Sequence, residues 1–378
     1  MKLKLLPHRK LFLSFTIPLI IIFIMILLFD NNINSLAEIY KKPHRIVLIL
    51  RHTITFTIPI FLAALGGLYS ERSGVINLAL EGMMLTGAFS AVLIAYFTQD
   101  FFLAIIFGVI AGIFLGLIHA FISIHLKGDQ IISGVAINIL ALGLTNYFYK
   151  VILKDVSGAE IPGIPTINDI MGWNEFFKNP PLNYDIIRMI GYVFFEQSPL
   201  VYITIGLGLL GYYILFYTSI GLRIRAVGEH PRAADTLGIN VYLFRYGCVI
   251  ISGALAGLAG VYLSMGFLSG TFSKDMSGGR GFIAIAAYIF GNWNVGGTAL
   301  ASLLFGFFSA LEEFLKGQEI FLSLPFLFPG IGWEEINIFA TEFLDMIPYL
   351  LTIIVLSSSV RRARAPGAIG QVYEKEMK

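Results

Sequence analysis

The sequence is short of charge. Asp, Glu, Lys and Arg together make up 13% of its 378 residues, where a water-soluble domain carries about 25% because its surface must be solvated. It has one cysteine, Cys248, which excludes an intramolecular disulfide and a cysteine-rich metal centre. No GxxxxGK[ST] run occurs, so the backbone cradle and lysine that hold nucleotide phosphates are missing. HExxH, CxxC and GxSxG are also missing, and the six histidines show no ligand spacing. Neither an enzyme nor a metal or cofactor site is indicated. The formal charge of +2 is too small to point to a nucleic-acid partner.

Hydrophobic residues fill the space that charge leaves, at 57% of the chain with a mean hydropathy of +0.80. They come in long runs. A hydrocarbon core about 30 Å thick needs roughly 20 apolar residues of helix, and the runs mark about ten segments: 11–29, 53–70, 75–97, 101–124, 130–153, 199–217, 241–265, 281–291, 294–315 and 343–360. The expected fold is all-α, one polytopic membrane domain over 1–378. Leu11 to Phe29 follows Lys2, Lys4, Arg9 and Lys10, but is longer than a signal core and lacks a small-residue cleavage site. It reads as an uncleaved span. The segment 281–291 is too short to cross simply and reads as a half-helix or re-entrant piece.

Positive charge near span ends sets orientation. The basic N-terminus, the stretch with Arg223, Arg225 and Arg232, and a tail at 361–378 with Arg361, Arg362 and Arg364 all belong on the cytoplasmic side. Lys41, Lys42, Arg45 and Arg51 run against this, as an interfacial segment or a miscounted crossing. AALGGLYS at 63–70 and GLAGVYLS at 257–264 hint at an inverted repeat; small residues recurring in packed membrane helices would produce the same hint.

Between two strong spans, Gly221 to Tyr242 is polar. Pro231 suits a helix start, Glu229 lies where negative charge favours the dipole, and Gly238 suits a stop. A helix of about two turns follows, presenting Arg232, Ala233, Ala234 and Asp235. Held between spans it would act as a lever for a bound partner, or be an ordinary solvated loop. Inside the runs, Asn77 and Glu81 stand four apart, on one face of an expected helix. They line a solute path or lock two helices. Gln130, at the mouth of its span, and Asn138 offer amide donors and acceptors, useful to a polar solute and equally to helix packing. Arg280 is expected near the outer mouth, facing solute or a lipid headgroup. The 33 Phe and 17 Tyr permit base stacking, although most such rings face lipid or core.

ERSGVINLALEGMMLTGAF at 71–89, GDQIISGVAINILALGLT at 128–145, VGEHPRAADTLGINVY at 227–242 and GGRGFIAIAAYIFGNWN at 278–294 resemble, in order, the branched-chain amino acid, sugar and nucleoside permeases of ABC importers. The wording is most similar to the nucleoside type. The resemblance implies that Glu229, His230, Pro231, Arg232, Ala233, Ala234, Asp235 and Gly238 form the loop that contacts a separate ATPase, within 221–242. It also implies a second permease subunit, identical or homologous, an external solute-binding lipoprotein and a bacterial inner membrane with both termini cytoplasmic. The expected role is to translocate a nucleoside by alternating access. A ribose-like sugar or a branched-chain amino acid is the alternative solute, and an ion-coupled carrier is the alternative class.

Overall fold

A computed structural model describes residues 43–154, 161–173, 186–317, Met346 and 364–374. Seven of its helices are long and apolar enough to span a membrane, and they coincide with seven of the expected segments. The expected segment 11–29 lies outside the described residues, as do 343–360 apart from Met346, and Arg361 and Arg362.

The first span is α1, Pro43–Arg72. Its helix is continuous from Pro43 and carries Arg45 and Arg51 in its first three turns; Lys41 and Lys42 lie outside the described residues. Arg51 is accommodated by its neighbours: it donates to Tyr192 Oη at 3.0 Å and lies 4.0 Å from the Glu196 carboxylate. After α1 the chain unwinds through Ser73–Ala79 and re-forms as α2, Leu80–Thr98. Segment 75–97 is therefore not one helix, and Asn77 does not share a helical face with Glu81 as the spacing suggested.

The next two spans are α3, Phe101–Ala120, and α4, Gln130–Phe148. Each opens on an aspartate. Asp100 accepts from Phe102 N at 2.7 Å, and Asp129 accepts from Ile131 N and Ile132 N at 2.8 and 2.9 Å, satisfying donors that a helix start leaves free. Both helices end in wider turns, Phe121–His125 and Tyr149–Leu153. Two short helices, α5 (Ile167–Met171) and α6 (Ile186–Phe195), precede α7, Pro199–Tyr217.

The polar stretch expected to hold one short helix holds two, α8 (Ser219–Glu229) and α9 (Pro231–Thr236). The last spans are α10, Val241–Val261, prolonged by a wider turn to Phe267, and α12, Val295–Gly317; between them lies the short α11, Arg280–Phe290. At 11 residues α11 reaches about 16 Å, half the hydrocarbon thickness, as a half-helix should.

Helix α10 sits at the centre, packed against α1, α2 and α3, while α12 and α11 lean on α1. Glycines allow these approaches. A Cβ on Gly87 would fall 2.5 Å from the Gly257 carbonyl oxygen, and one on Gly260 would collide with the Met84 carbonyl. With lipid tails as apolar as leucine, such backbone proximity supplies the dispersion contact that joins membrane helices. Gly66 lies against Ser252 and Gly74 against Arg245, so α1 and α10 are antiparallel, the relation that the two similar octets require of an inverted repeat.

Candidate functional site

Two breaks meet inside the bundle: the unwound stretch before α2, and the loop before α11. Irregular backbone at depth survives only where its polar groups are satisfied by protein. Here several of the partners are side chains from neighbouring helices. Val75 N donates to Ser70 O, and the Ser70 hydroxyl donates to Val75 O at 2.7 Å. Ile76 N donates to Gln130 Oε1 at 2.8 Å, and Ile76 O faces His119 Nε2 at 2.8 Å. Asn77 Oδ1 accepts from Ala79 N, while its amide donates to Ser252 Oγ at 2.8 Å. Asn138 donates to Leu78 O and accepts from Gly82 N, both at 2.8 Å.

Four of the five polar residues singled out as path candidates thus share one cluster, and three of them, Asn77, Gln130 and Asn138, hold the unwound backbone in place. The fourth, Glu81, closes the other break. Its Oε1 accepts from Gly279 N at 2.8 Å and its Oε2 from Gly281 N at 2.6 Å, so a buried carboxylate caps the positive end of α11. Asn77 is bonded to Ser252, midway along α10, which puts this junction at mid-depth.

Arg280 opens the half-helix α11, beside the break. Its guanidinium donates to Ser277 O at 3.2 Å and lies 5.8 Å from the centroid of the Phe56 ring, which in turn meets Phe267 edge-on at 5.2 Å. A cation and aromatic faces therefore adjoin the break.

A second carboxylate, which sequence reasoning did not weigh, fixes the far end of α11. Glu71 accepts from Tyr288 Oη at 2.7 Å and Trp293 Nε1 at 2.6 Å, and the adjacent Arg72 donates to Trp293 O at 2.8 Å and 2.6 Å. An acid closing an apolar run is the signal that would have found it. His119, inside the apolar run of α3, carried the same signal.

On the polar stretch, α9 begins at Pro231, as expected, and Gly238 takes φ +82° just beyond its end. Glu229 does not serve its dipole. It ends α8 instead, and its Oε2 accepts from Gly367 N at 3.0 Å. Ala233 and Arg232 are exposed, whereas Ala234 is 2% exposed and packs with Val227, Val241 and Tyr373. Beside it, burial first and then the Asp235 carboxylate push the Tyr373 hydroxyl up to about 12. Leu237 follows α9 at 81% exposure.

The profile of the family described as branched-chain amino acid transport system / permease component matches residues 49–356. The chain belongs to that family. Among similar proteins, the permease is 38% identical over 335 residues to the nucleoside ABC transporter permease protein NupC of Lactococcus lactis subsp. cremoris, covering 87% of this chain and 97% of that one. It is 40% identical over 339 residues to the guanosine ABC transporter permease protein NupQ of Bacillus subtilis, with 87% and 97% coverage. A putative glucose ABC transporter permease protein, TsgC13 of Haloferax volcanii, is 35% identical over 338 residues, with 87% and 98% coverage. No solved structure matches the permease. Family and apolar helices together make it a multi-pass membrane protein.

Proposed function

We propose that the permease is the transmembrane subunit of an ABC importer that carries nucleosides across the bacterial inner membrane, with both termini cytoplasmic. Similarity along 87% of the chain to permeases named for nucleosides and guanosine carries this reading. In it, ATP is hydrolysed by a separate ATPase, an external lipoprotein delivers solute, and a second permease subunit completes the path.

Glu229, His230, Pro231, Arg232, Ala233, Ala234, Asp235 and Gly238 form the coupling element. Supporting this is the division of labour on α9: one alanine is seated on the bundle while its neighbour and Leu237 stay open. A short helix gripped on one side transmits force rigidly, and its open side is available to a partner. Closure of the ATPases would tilt α7 and α10, the spans that α8 and α9 connect.

The solute path runs past the junction of the two breaks. Arg280 and the Phe56 and Phe267 rings beside it suit a base that stacks and accepts hydrogen bonds. Glu81 keeps the half-helix pointed there, while Asn77, Gln130 and Asn138 shape the wall. Discontinuous helices at mid-depth are where solute sites of other transporters are built. A sugar is the second reading, favoured by the likeness to the putative glucose permease.

Proteoliposomes holding the permease, its co-expressed partner permease and ATPase, and the binding protein decide between these. ATP-dependent uptake of labelled guanosine, competed by other nucleosides and not by glucose or leucine, is expected. Uptake of glucose alone would replace the solute. Gradient-driven uptake without ATP or ATPase would overturn the whole reading.

A further inference from the structure

Residues 364–374 cross the same end of the bundle as α9 and are packed there, not frayed. Pro366, Ala368 and Tyr373 are buried. The segment touches each joint at that end in turn. Arg364 N donates to Asn292 Oδ1 at 2.8 Å, at the α11–α12 link. Gly367 N reaches Glu229, and Ala368 N donates to Gly228 O at 2.9 Å, so two consecutive bonds hold the end of α8 just before the coupling helix.

The next bonds lead to the opposite side. Gly370 N donates to Gly74 O at 3.0 Å, at the start of the unwound stretch, and Gln371 O accepts from Arg245 of α10 at 2.9 Å. Gly370 is held at φ +72°, and a Cβ there would come 2.9 Å from Ile76 Cδ1. Tyr373 then slides under α9, against Ala234, and meets the Tyr242 ring at 5.3 Å. Lys127, on the α3–α4 link, pairs with Glu374 at 2.6 Å.

We propose that residues 364–374 are a coupling strap, which ties the ATPase-contacting helix α9 to the unwound stretch at Gly74–Ile76 and so to the broken helices at mid-depth. This rests on the importer reading above. The argument is one of connectivity. Helix α9 contacts the bundle through α8 and α10; α8 already packs on the start of the unwound stretch, where a Cβ on Gly228 would fall 3.3 Å from Gly74 N, and this segment adds hydrogen bonds across that contact, from Gly367, Ala368 and Gly370 N–H to Glu229, Gly228 and Gly74. Backbone bonds at fixed spacing transmit displacement with little slack. Tyr373, wedged beneath Ala234, makes tilting of α9 shift the strap as well.

The test uses the full importer in proteoliposomes, with residues 364–374 replaced by a Gly-Ser stretch of equal length, and separately with Gly370→Val. The measurements are ATPase capture, ATP hydrolysis, and solute imported per ATP. Captured ATPase with hydrolysis maintained, and solute per ATP reduced about tenfold, within the range usual for coupling between sites, is the expected result in both variants. Unchanged solute per ATP in the Gly-Ser variant overturns the strap. So does loss of ATPase capture in that variant, because the segment would then be a docking surface. If the unaltered permease captures no ATPase, the importer reading itself fails. The Gly370→Val variant changes a single residue of the strap, at the position where Ile76 and a φ of +72° leave no room for a side chain, so it reports on the strap even if the Gly-Ser variant does not assemble.

Discussion

The carboxylate of Glu81 accepts the backbone N–H of Gly281 at 2.6 Å across 200 residues of sequence. One side chain thereby joins the start of α2 to the start of the half-helix α11. Replacing it tests how much of the permease depends on that junction. Glu81→Ala leaves one buried and one half-buried donor without their partner and should cost about 2–4 kcal/mol. In detergent, a lower melting temperature and lost uptake are expected. Glu81→Gln keeps one acceptor and should fall between.

Glu71 is held by two donors, and they are separable. Tyr288→Phe removes one without changing the ring and should destabilise by about 1–3 kcal/mol, as should Trp293→Phe. Because both donors serve the same carboxylate, the double variant should depart from additivity. A double-mutant cycle on thermal unfolding measures the difference, and simple addition would show that the two bonds are independent.

The paired alanines of α9 should respond oppositely. Ala234→Glu forces a carboxylate against Val227, Val241 and Tyr373 and should lower stability by about 2–4 kcal/mol. Ala233→Glu, on the open face, should leave the melting temperature within experimental error and weaken ATPase co-purification. Equal effects on folding would mean that the two side chains have similar surroundings.

Glycines on α10 divide in the same way. Gly260→Val would collide with the Met84 carbonyl, whereas a Cβ at Gly247 meets nothing within 4 Å. Gly247→Ala should be neutral or stabilising by up to about 1 kcal/mol, from helix propensity. Gly260→Val should abolish monodisperse permease in size-exclusion chromatography.

Much of this was legible in the sequence. The seven long spans follow from apolar run length, because hydrocarbon admits little else, and the half-helix from a run too short to cross. Pro231 and Gly238 bounded α9 through their own backbone preferences, which are local. Segment 75–97 misled because Val75, Ile76 and Leu78 are as apolar as a helix would be. Hydropathy records what a residue can face, not whether its backbone is wound.

The sequence by itself determined that the chain is an all-helical membrane permease, since composition, run length and four ordered motifs are properties read along the chain. Only the tertiary structure decided what the polar residues do. Whether Asn138 serves solute or backbone depends on what lies opposite it. That was Leu78 and Gly82, left unpaired by an unwinding that no local signal announced. The same holds for Glu81 and Gly281 and for the strap: a hydrogen bond between distant residues exists only once packing has brought donor and acceptor within 3 Å or so, and packing is the sum of the whole chain.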